Sequence, residues 1–167
     1  WSGAHEPMVR ALRAGRLGIR SRPRGFSTVA LPADYQAFLA SMSTNRRQQI
    51  RRNTKKILSK PGVEVRKVTT RDELGPALDA LFRLHGKRWR SVGQDGVFDR
   101  NVKEREFYEC FAPEALARGW LAVYTLFDGS EPKAVQIGYV YGRAFLQLQE
   151  GFDPDYSPHV GNALRTW

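Results

Sequence analysis

Apolar residues recur at intervals of three and four through most of the first two thirds of the chain. This spacing predicts amphipathic helices, because residues so spaced share one helix face. Strands are predicted over 26–31, where Pro32 follows, and over 63–68, where apolar and polar residues alternate. The predicted helices cover 33–42, 45–59 with Asn45 as cap, a segment from a Thr70–Glu73 capping box to Trp89, and 102–117.

The last third of the chain alternates between apolar and polar residues in three short runs. These runs predict strands over 120–127, 134–141 and 144–152. Asp128-Gly129 and Gly142-Arg143 separate them, and both pairs are typical of tight hairpin turns. Helices followed by an antiparallel meander predict an α+β fold without internal repeats.

The second hairpin predicts a polar face beside a glycine. If Gly142-Arg143 forms a two-residue loop, Gly138 lies opposite Gln147, and Gln136 lies opposite Gln149. Amide side chains around a missing side chain are typical of a cleft wall on which a ligand lies. The alternative is a solvated sheet face. The opposite face, predicted to be core, carries Ile137, Tyr139, Leu146 and Leu148.

The composition is that of a folded protein with a strong positive charge. Hydrophobic residues make up 41% and charged residues 26% of the chain, which excludes a disordered protein. The net charge of +10 favours anionic partners, namely nucleic acid, anionic lipid, acidic polysaccharide or a phosphorylated cofactor. The basic residues concentrate on the helix predicted over 45–59, whose alternative interpretation is a solvated basic face. They are Arg46, Arg47, Arg51, Arg52, Lys55 and Lys56.

The ends of the chain and its cysteine usage set further expectations. The chain starts at Trp1 and stops at Trp167, so we expect two cut ends: 1–25 as a linker or the end of a preceding domain, and 26–167 as a domain incomplete at its C-terminus. No apolar run predicts a transmembrane segment, and we expect a soluble, cytoplasmic protein. The single cysteine, Cys110, is compatible with a reducing compartment, and we expect it to pack as a small hydrophobe.

The segment after Gln149 carries the features of a phosphate-binding turn. A strand interrupted by Gly151, a loop, and a helix starting near Gly161 can present backbone N–H groups to phosphate oxygens. With the preceding motifs, the stretch from about Phe26 to Leu164 resembles the GNAT superfamily, specifically the acetyltransferase domains of bacterial cellulose and exopolysaccharide synthesis. The motifs that carry the resemblance are Leu31-Pro32, the basic run 46–56, Leu84-His85 with Arg88-Trp89, Gly96 with Phe98, Asp128-Gly129, Gly151-Phe152-Asp153-Pro154, and Ser157-Pro158.

The resemblance implies an N-acyltransferase that uses acetyl-CoA or another acyl-CoA. The acceptor would be an amine, such as an amino sugar in envelope polysaccharide synthesis. It also implies a sheet that splays near Gly151 to admit the pantetheine arm, with the pyrophosphate on the next helix N-terminus. The fold would stop before its final strands, and we expect the fragment to be inactive alone. Of the family's phosphate loop, Gly161-Asn162-Ala163 fits.

The resemblance and the residues together give a set of candidate site residues. Glu150 and Asp153 are candidate bases, and Tyr156 is a candidate donor to the departing sulfur or a packing residue. By strict alternation Glu150 points to the core, and it reaches the cleft only if Gly151 marks a bulge; its alternative is a salt bridge at a strand end. The cofactor-binding candidates are Gln149, Gly151, His159, Val160, Gly161, Asn162 and Ala163, and the substrate-binding candidates are Gln136, Gly138 and Gln147.

Other residues and other functions stay open. His85 is expected to be a core or boundary histidine, and no spacing of His, Cys, Asp and Glu predicts a metal site. One rival function is an aminoacyl-tRNA-dependent transferase of the peptidoglycan-bridge type, which would account for the basic helix. The other is a basic module that binds nucleic acid or an anionic surface.

Overall fold

The computed structural model describes residues 28–167 together with Arg10, Ala14 and Gly15. A compact unit spans Leu39–Trp167, and the boundary with the preceding unit falls after Phe38. The predicted linker over 1–25 lies almost wholly outside the described residues. Of the strand predicted over 26–31, residues 28–31 have no regular secondary structure, and the first two residues lie outside the described range.

Six helices are present in the described part of the chain, and local capping explains where two of them begin. The Ser43 hydroxyl accepts from the Arg46 N–H at 3.4 Å, so the second helix starts before the predicted cap at Asn45. The Glu73 carboxylate accepts from the Thr70 N–H at 3.1 Å, as the capping box predicted. None of these helices is long and apolar enough to cross a membrane. The helices are α1 (Tyr35–Ala40), α2 (Thr44–Leu58), α3 (Arg71–Arg90), α4 (Val97–Arg100), α5 (Val102–Ala117) and α6 (Val160–Arg165).

The strands form one antiparallel sheet of order β1-β2-β3-β4. Gly129 and Gly142 have φ of 61° and 59° in the two hairpin turns, a conformation that costs a glycine little. The predicted meander and α+β fold are therefore confirmed, and the predicted bounds of the last strand match. The strands are β1 (Val63–Lys67), β2 (Leu121–Asp128), β3 (Glu131–Tyr141) and β4 (Ala144–Phe152).

Helices cover both faces of the sheet. On one face, α3, α4 and α5 bury a core that includes Leu81, Val123 and Ile137. On the other, α2 and α6 bury a second core that includes Ile57 and Leu126. Because neighbouring strand residues point to opposite faces, the two cores divide the apolar residues of β2 and β3 between them.

The buried face of α5 differs from the expected one. Cys110 is exposed, so its expected packing as a small hydrophobe is wrong. The helix turns Tyr108, Ala112 and Ala115 inward, and these are 5% exposed or less. The larger Phe107 stays 49% exposed. The buried face of α5 therefore combines one aromatic residue with two alanines.

Candidate functional site

A β-bulge interrupts the pairing of β4 with β3. Gly138 pairs with Gln147, as predicted, but Ile137 pairs with Gln149. Leu148 is therefore the extra residue of the bulge and has no pairing partner on β3. An extra residue of this kind bends its strand and shifts the alternation of the side chains beyond it. The sequence suggested a bulge at Gly151, and the structure has it earlier in the strand.

The bulge sends two candidate site residues to opposite faces. Gln136 pairs with Glu150, not with Gln149 as strict alternation predicted. Because directly paired residues point to the same side of an antiparallel sheet, Glu150 shares the face of Gln136. Gln149 lies instead on the side of Ile137, towards α3. The predicted place of Gln149 on the amide-bearing face is therefore wrong, while Glu150 reaches that face through a bulge.

Gly138 lies beneath an aromatic ring. A Cβ added at Gly138 would lie 2.5 Å from Cε2 of Phe145 and 2.6 Å from the carbonyl oxygen of Leu146. The gap expected between Gln136 and Gln147 is thus filled by Phe145, which is itself 43% exposed. Phe145 is a wall residue of this face that the sequence did not single out, because one aromatic in an alternating strand carries no particular signal.

Gly151 is the point at which β4 touches α3. A Cβ added there would lie 2.5 Å from the His85 backbone nitrogen and 2.7 Å from the Leu81 carbonyl oxygen. The strand does not break at Gly151, since it pairs with Val135 and β4 continues to Phe152. The strand therefore continues through this glycine, and the close approach of α3 is what requires a residue without a side chain here.

His85 links α3 to the strand beside the bulge. Its Nδ1 lies 2.9 Å from the Glu150 carbonyl oxygen, and its Nε2 accepts from the Val97 N–H at 3.3 Å. These partners require a neutral ring with the proton on Nδ1. Burial lowers the pKa of His85, although the hydrogen bond to Glu150 opposes the shift. His85, expected to be a core or boundary histidine, therefore joins α3 to the backbone of Glu150 and of Val97 through two hydrogen bonds.

Glu150 is the centre of a polar network on the Gln136 face. Nε of Arg165 donates to Oε2 of Glu150 at 2.7 Å, and a second bond joins Nη2 to Oε1. Nε2 of Gln147 also donates to Oε2 of Glu150 at 3.1 Å, and Nη1 of Arg165 donates to Oδ1 of Asn162 at 3.1 Å. The structure thus connects a substrate candidate, a catalytic candidate and a cofactor candidate. The alternative role of Glu150, a salt bridge at a strand end, is therefore present, and its partner Arg165 was not predicted.

Asp153 is held in ion pairs at the end of β4. The Lys87 ammonium lies 2.5 Å from one carboxylate oxygen, and the Lys133 ammonium lies 3.8 Å from the other. Burial opposes ionisation of Asp153, but the hydrogen bonds from Lys87 and from the Asp155 N–H outweigh it and lower its pKa. A carboxylate so fixed is better suited to anchoring β4 on α3 than to accepting a proton.

Tyr156 packs between two lysines. The ammonium groups of Lys60 and Lys133 lie 4.2 Å and 5.6 Å from the centre of its ring. Burial raises the pKa of Tyr156 to about 12, with the Asp128 carboxylate nearby adding to the shift. The hydroxyl is buried and has no hydrogen-bond partner within the described residues. Of the two expected roles, its contacts favour packing the loop.

A pocket of about 450 Å³ lies between α2 and the loop that leads to α6. The loop contributes residues 156–159. Two of the predicted basic residues, Arg52 and Lys56, line it together with Asn53, Ile57 and Lys60. The structure therefore brings the basic helix and the predicted cofactor residue His159 into one concave surface, although they are far apart in the sequence.

The start of α6 is largely core. Val160 and Ala163 are 0% and 1% exposed, and a Cβ at Gly161 would lie 3.0 Å from the ring of Phe152. These cofactor candidates can therefore contact a ligand only through their backbone. Early N–H groups of a helix lack intrahelical acceptors, and the Val160 N–H already donates to the Ser157 carbonyl at 3.3 Å.

Comparisons with known proteins identify the family of this chain. A search among curated proteins finds no match to the chain. A family described as the acetyltransferase (GNAT) domain matches residues 44–166, from the first residue of α2 to the end of α6. This match spans most of the chain, and the protein belongs to the GNAT acetyltransferase family.

Proposed function

We propose that the protein transfers an acetyl or other acyl group from acyl-CoA to an amine, with an amino sugar of an envelope polysaccharide as the acceptor. The observation that carries this proposal is the bulge at Leu148, which puts Glu150 on the same face as Gln136 and Gln147. On this face Gln147 is exposed and Glu150 is partly buried, whereas Gln136 is buried at 7% exposure. Members of the GNAT family are acyltransferases that generally use acyl-CoA.

The reaction needs few chemical groups from the protein. The amine nitrogen attacks the thioester carbonyl, a C–N bond forms, and the carbonyl oxygen becomes an oxyanion. The C–S bond then breaks, and CoA leaves as a thiolate that takes up the proton lost by the amine. Catalysis therefore rests on holding the carbonyl, stabilising the oxyanion and removing one proton.

The backbone of β4 is suited to hold the thioester carbonyl. In the described part of the chain β4 is the edge of the sheet, and an edge strand presents unpaired N–H groups. The bulge at Leu148 adds a further departure from the ladder with β3. We assign the carbonyl to N–H groups of residues 149–151, whose position is fixed by the His85 bond to the Glu150 carbonyl.

Glu150 is the better of the two candidate bases. Its side chain is 18% exposed, and its hydrogen bonds to Arg165 and Gln147 orient the carboxylate without closing it off from solvent. Both carboxylates are in ion pairs, Glu150 with Arg165 and Asp153 with two lysines, but Glu150 shares the face of Gln136 and Gln147. Glu150 would accept the amine proton directly or through one water molecule, while the exposed Gln147 and Phe145 would contact the acceptor.

Amides beside an aromatic ring suit a sugar acceptor. Amide side chains both donate and accept hydrogen bonds, which matches hydroxyl groups, and an apolar ring packs on a sugar's C–H face. On the donor side, the Asn162 side chain and the backbone at the start of α6 would contact the CoA phosphates. The single cysteine is consistent with a reducing compartment such as the cytoplasm.

The test is transfer from acetyl-CoA to glucosamine and simple alkylamines by the full-length protein, followed as thiol release. Glu150→Gln keeps the shape of the side chain and removes its basicity, so we expect a loss of kcat of about 100-fold with the affinity for acetyl-CoA retained. Glu131→Gln, on an exposed residue of β3, is the matched control. Absence of acyl-CoA binding at millimolar concentration would overturn the proposal. An unchanged kcat in Glu150→Gln would show that Glu150 is not the base.

The basic face of α2 favours a second candidate, in which the donor is aminoacyl-tRNA or the chain binds another polyanion. Arg46, Arg51 and Lys55 are exposed on this helix. Binding of tRNA by this face would weaken steeply with salt, because neutralised phosphates release counterions. Filter binding of tRNA and duplex DNA between 50 and 200 mM salt tests this candidate, and absence of binding at 50 mM salt would exclude it.

A further inference from the structure

The pocket between α2 and residues 156–159 has the charge of an anion site. Arg52, Lys56 and Lys60 line it, and none of the described residues that line it is acidic. Cations gathered around a concave surface attract an anion more strongly than the same charges spread over a convex helix. A volume of about 450 Å³ is that of a small-molecule pocket.

Neighbouring contacts hold the donors of this pocket in place. The Lys60 ammonium lies 4.2 Å above the Tyr156 ring, which fixes its direction. The Ser157 hydroxyl oxygen accepts from the His159 N–H at 3.2 Å, so the hydroxyl hydrogen is left for another acceptor. Lys56 and Arg52 lie one turn apart on α2, a spacing that puts both on one face.

We infer that this pocket binds the diphosphate of the acyl-CoA donor through side chains of α2. The inference rests on the proposed function. It adds side chains of α2 to the phosphate-binding groups already assigned to the start of α6. The loop that lines the pocket follows directly after β4, where the thioester is assigned, so one segment links the two ends of the donor. Charge-assisted hydrogen bonds from Arg52 and Lys56 supply binding energy that backbone N–H groups alone would not.

The test compares two adjacent lysines of α2. Lys56 lines the pocket, whereas Lys55 is exposed on the same helix outside it. Lys56→Gln and Lys55→Gln change the net charge equally, so bulk electrostatics affect both alike. Calorimetric titration of the full-length protein with inorganic pyrophosphate and with acetyl-CoA, at fixed ionic strength, should show binding weakened about fivefold or more by Lys56→Gln and left nearly unchanged by Lys55→Gln.

The possible results distinguish a failure of the pocket assignment from a failure of the proposed function. Equal losses in the two variants indicate a diffuse basic surface and overturn the inference. Acetyl-CoA binding that neither variant weakens also overturns it, while leaving acyl transfer intact. Pyrophosphate binding that depends on Lys56, without any binding of acetyl-CoA, overturns the donor assignment and the proposed function together. The melting temperature of each variant shows that a change in binding does not come from unfolding.

Discussion

Replacing Gly151 by alanine tests whether β4 and α3 are in backbone contact. The added Cβ would lie 2.5 Å from the His85 nitrogen and 2.7 Å from the Leu81 carbonyl oxygen. Both atoms belong to a hydrogen-bonded helix and cannot move as a flexible side chain can. Overpacking a core costs about 1–3 kcal/mol, and we expect the upper end of that range here. For a chain of this size it corresponds to a fall in melting temperature of roughly 6–12 °C.

Gly75→Ala is the matched control, because Gly75 lies on the same helix. A Cβ there would meet nothing within 4 Å beyond the neighbouring residues, but Gly75 precedes Pro76, whose ring disfavours a helical residue with a Cβ before it. This cost offsets the gain from replacing a helical glycine, so the stability should change by less than about 1 kcal/mol. Thermal unfolding followed by circular dichroism measures both variants. A melting temperature of Gly151→Ala equal to that of the parent would refute the close approach of β4 to α3.

Two further predictions concern ionisable groups on α3. Burial lowers the pKa of His85, so its contribution to stability is complete above the unfolded pKa of about 6.5 and is lost as pH falls through the folded pKa. Urea unfolding between pH 8 and 5 should therefore show a steeper loss of unfolding free energy for the parent than for His85→Gln. Equal slopes of unfolding free energy against pH in the two proteins would contradict this prediction. Lys87→Gln removes the closest partner of Asp153 and should destabilise the protein by about 1–2 kcal/mol, measured by the same method, whereas Lys103→Gln at an exposed position should change stability by less than about 0.5 kcal/mol.

Much of the fold could be predicted from the sequence because the local signals agreed. The bounds predicted for α5 and β4 match those observed, since Gly119 follows the end of α5 and Gly142 forms the turn before β4. The orientation of α5 could not be predicted in the same way. Its buried residues are Tyr108, Ala112 and Ala115, and the two alanines carry little hydrophobic signal.

The candidate site could be predicted only in part. The polar face of the hairpin was recognisable from alternation, but the extra residue at Leu148 was not, because a leucine fits either face of a strand. The basic pocket joins Lys56 to His159, and no spacing along the sequence relates residues so far apart. Arg165 was missed for the same reason, since only the fold brings it to Glu150.

The contacts that stabilise β4 also set the position of the proposed active site. Gly151 fits against α3, and His85 holds the Glu150 carbonyl. A substitution at Gly151 would therefore displace Glu150 and the adjacent N–H groups even if Gly151 never touches a ligand. Loss of acyl-CoA binding in such a variant cannot show that a thioester lies on this glycine. Glu150→Gln and Lys56→Gln leave the contact between β4 and α3 unchanged, and only variants of that kind separate contact with the ligand from support of the strand.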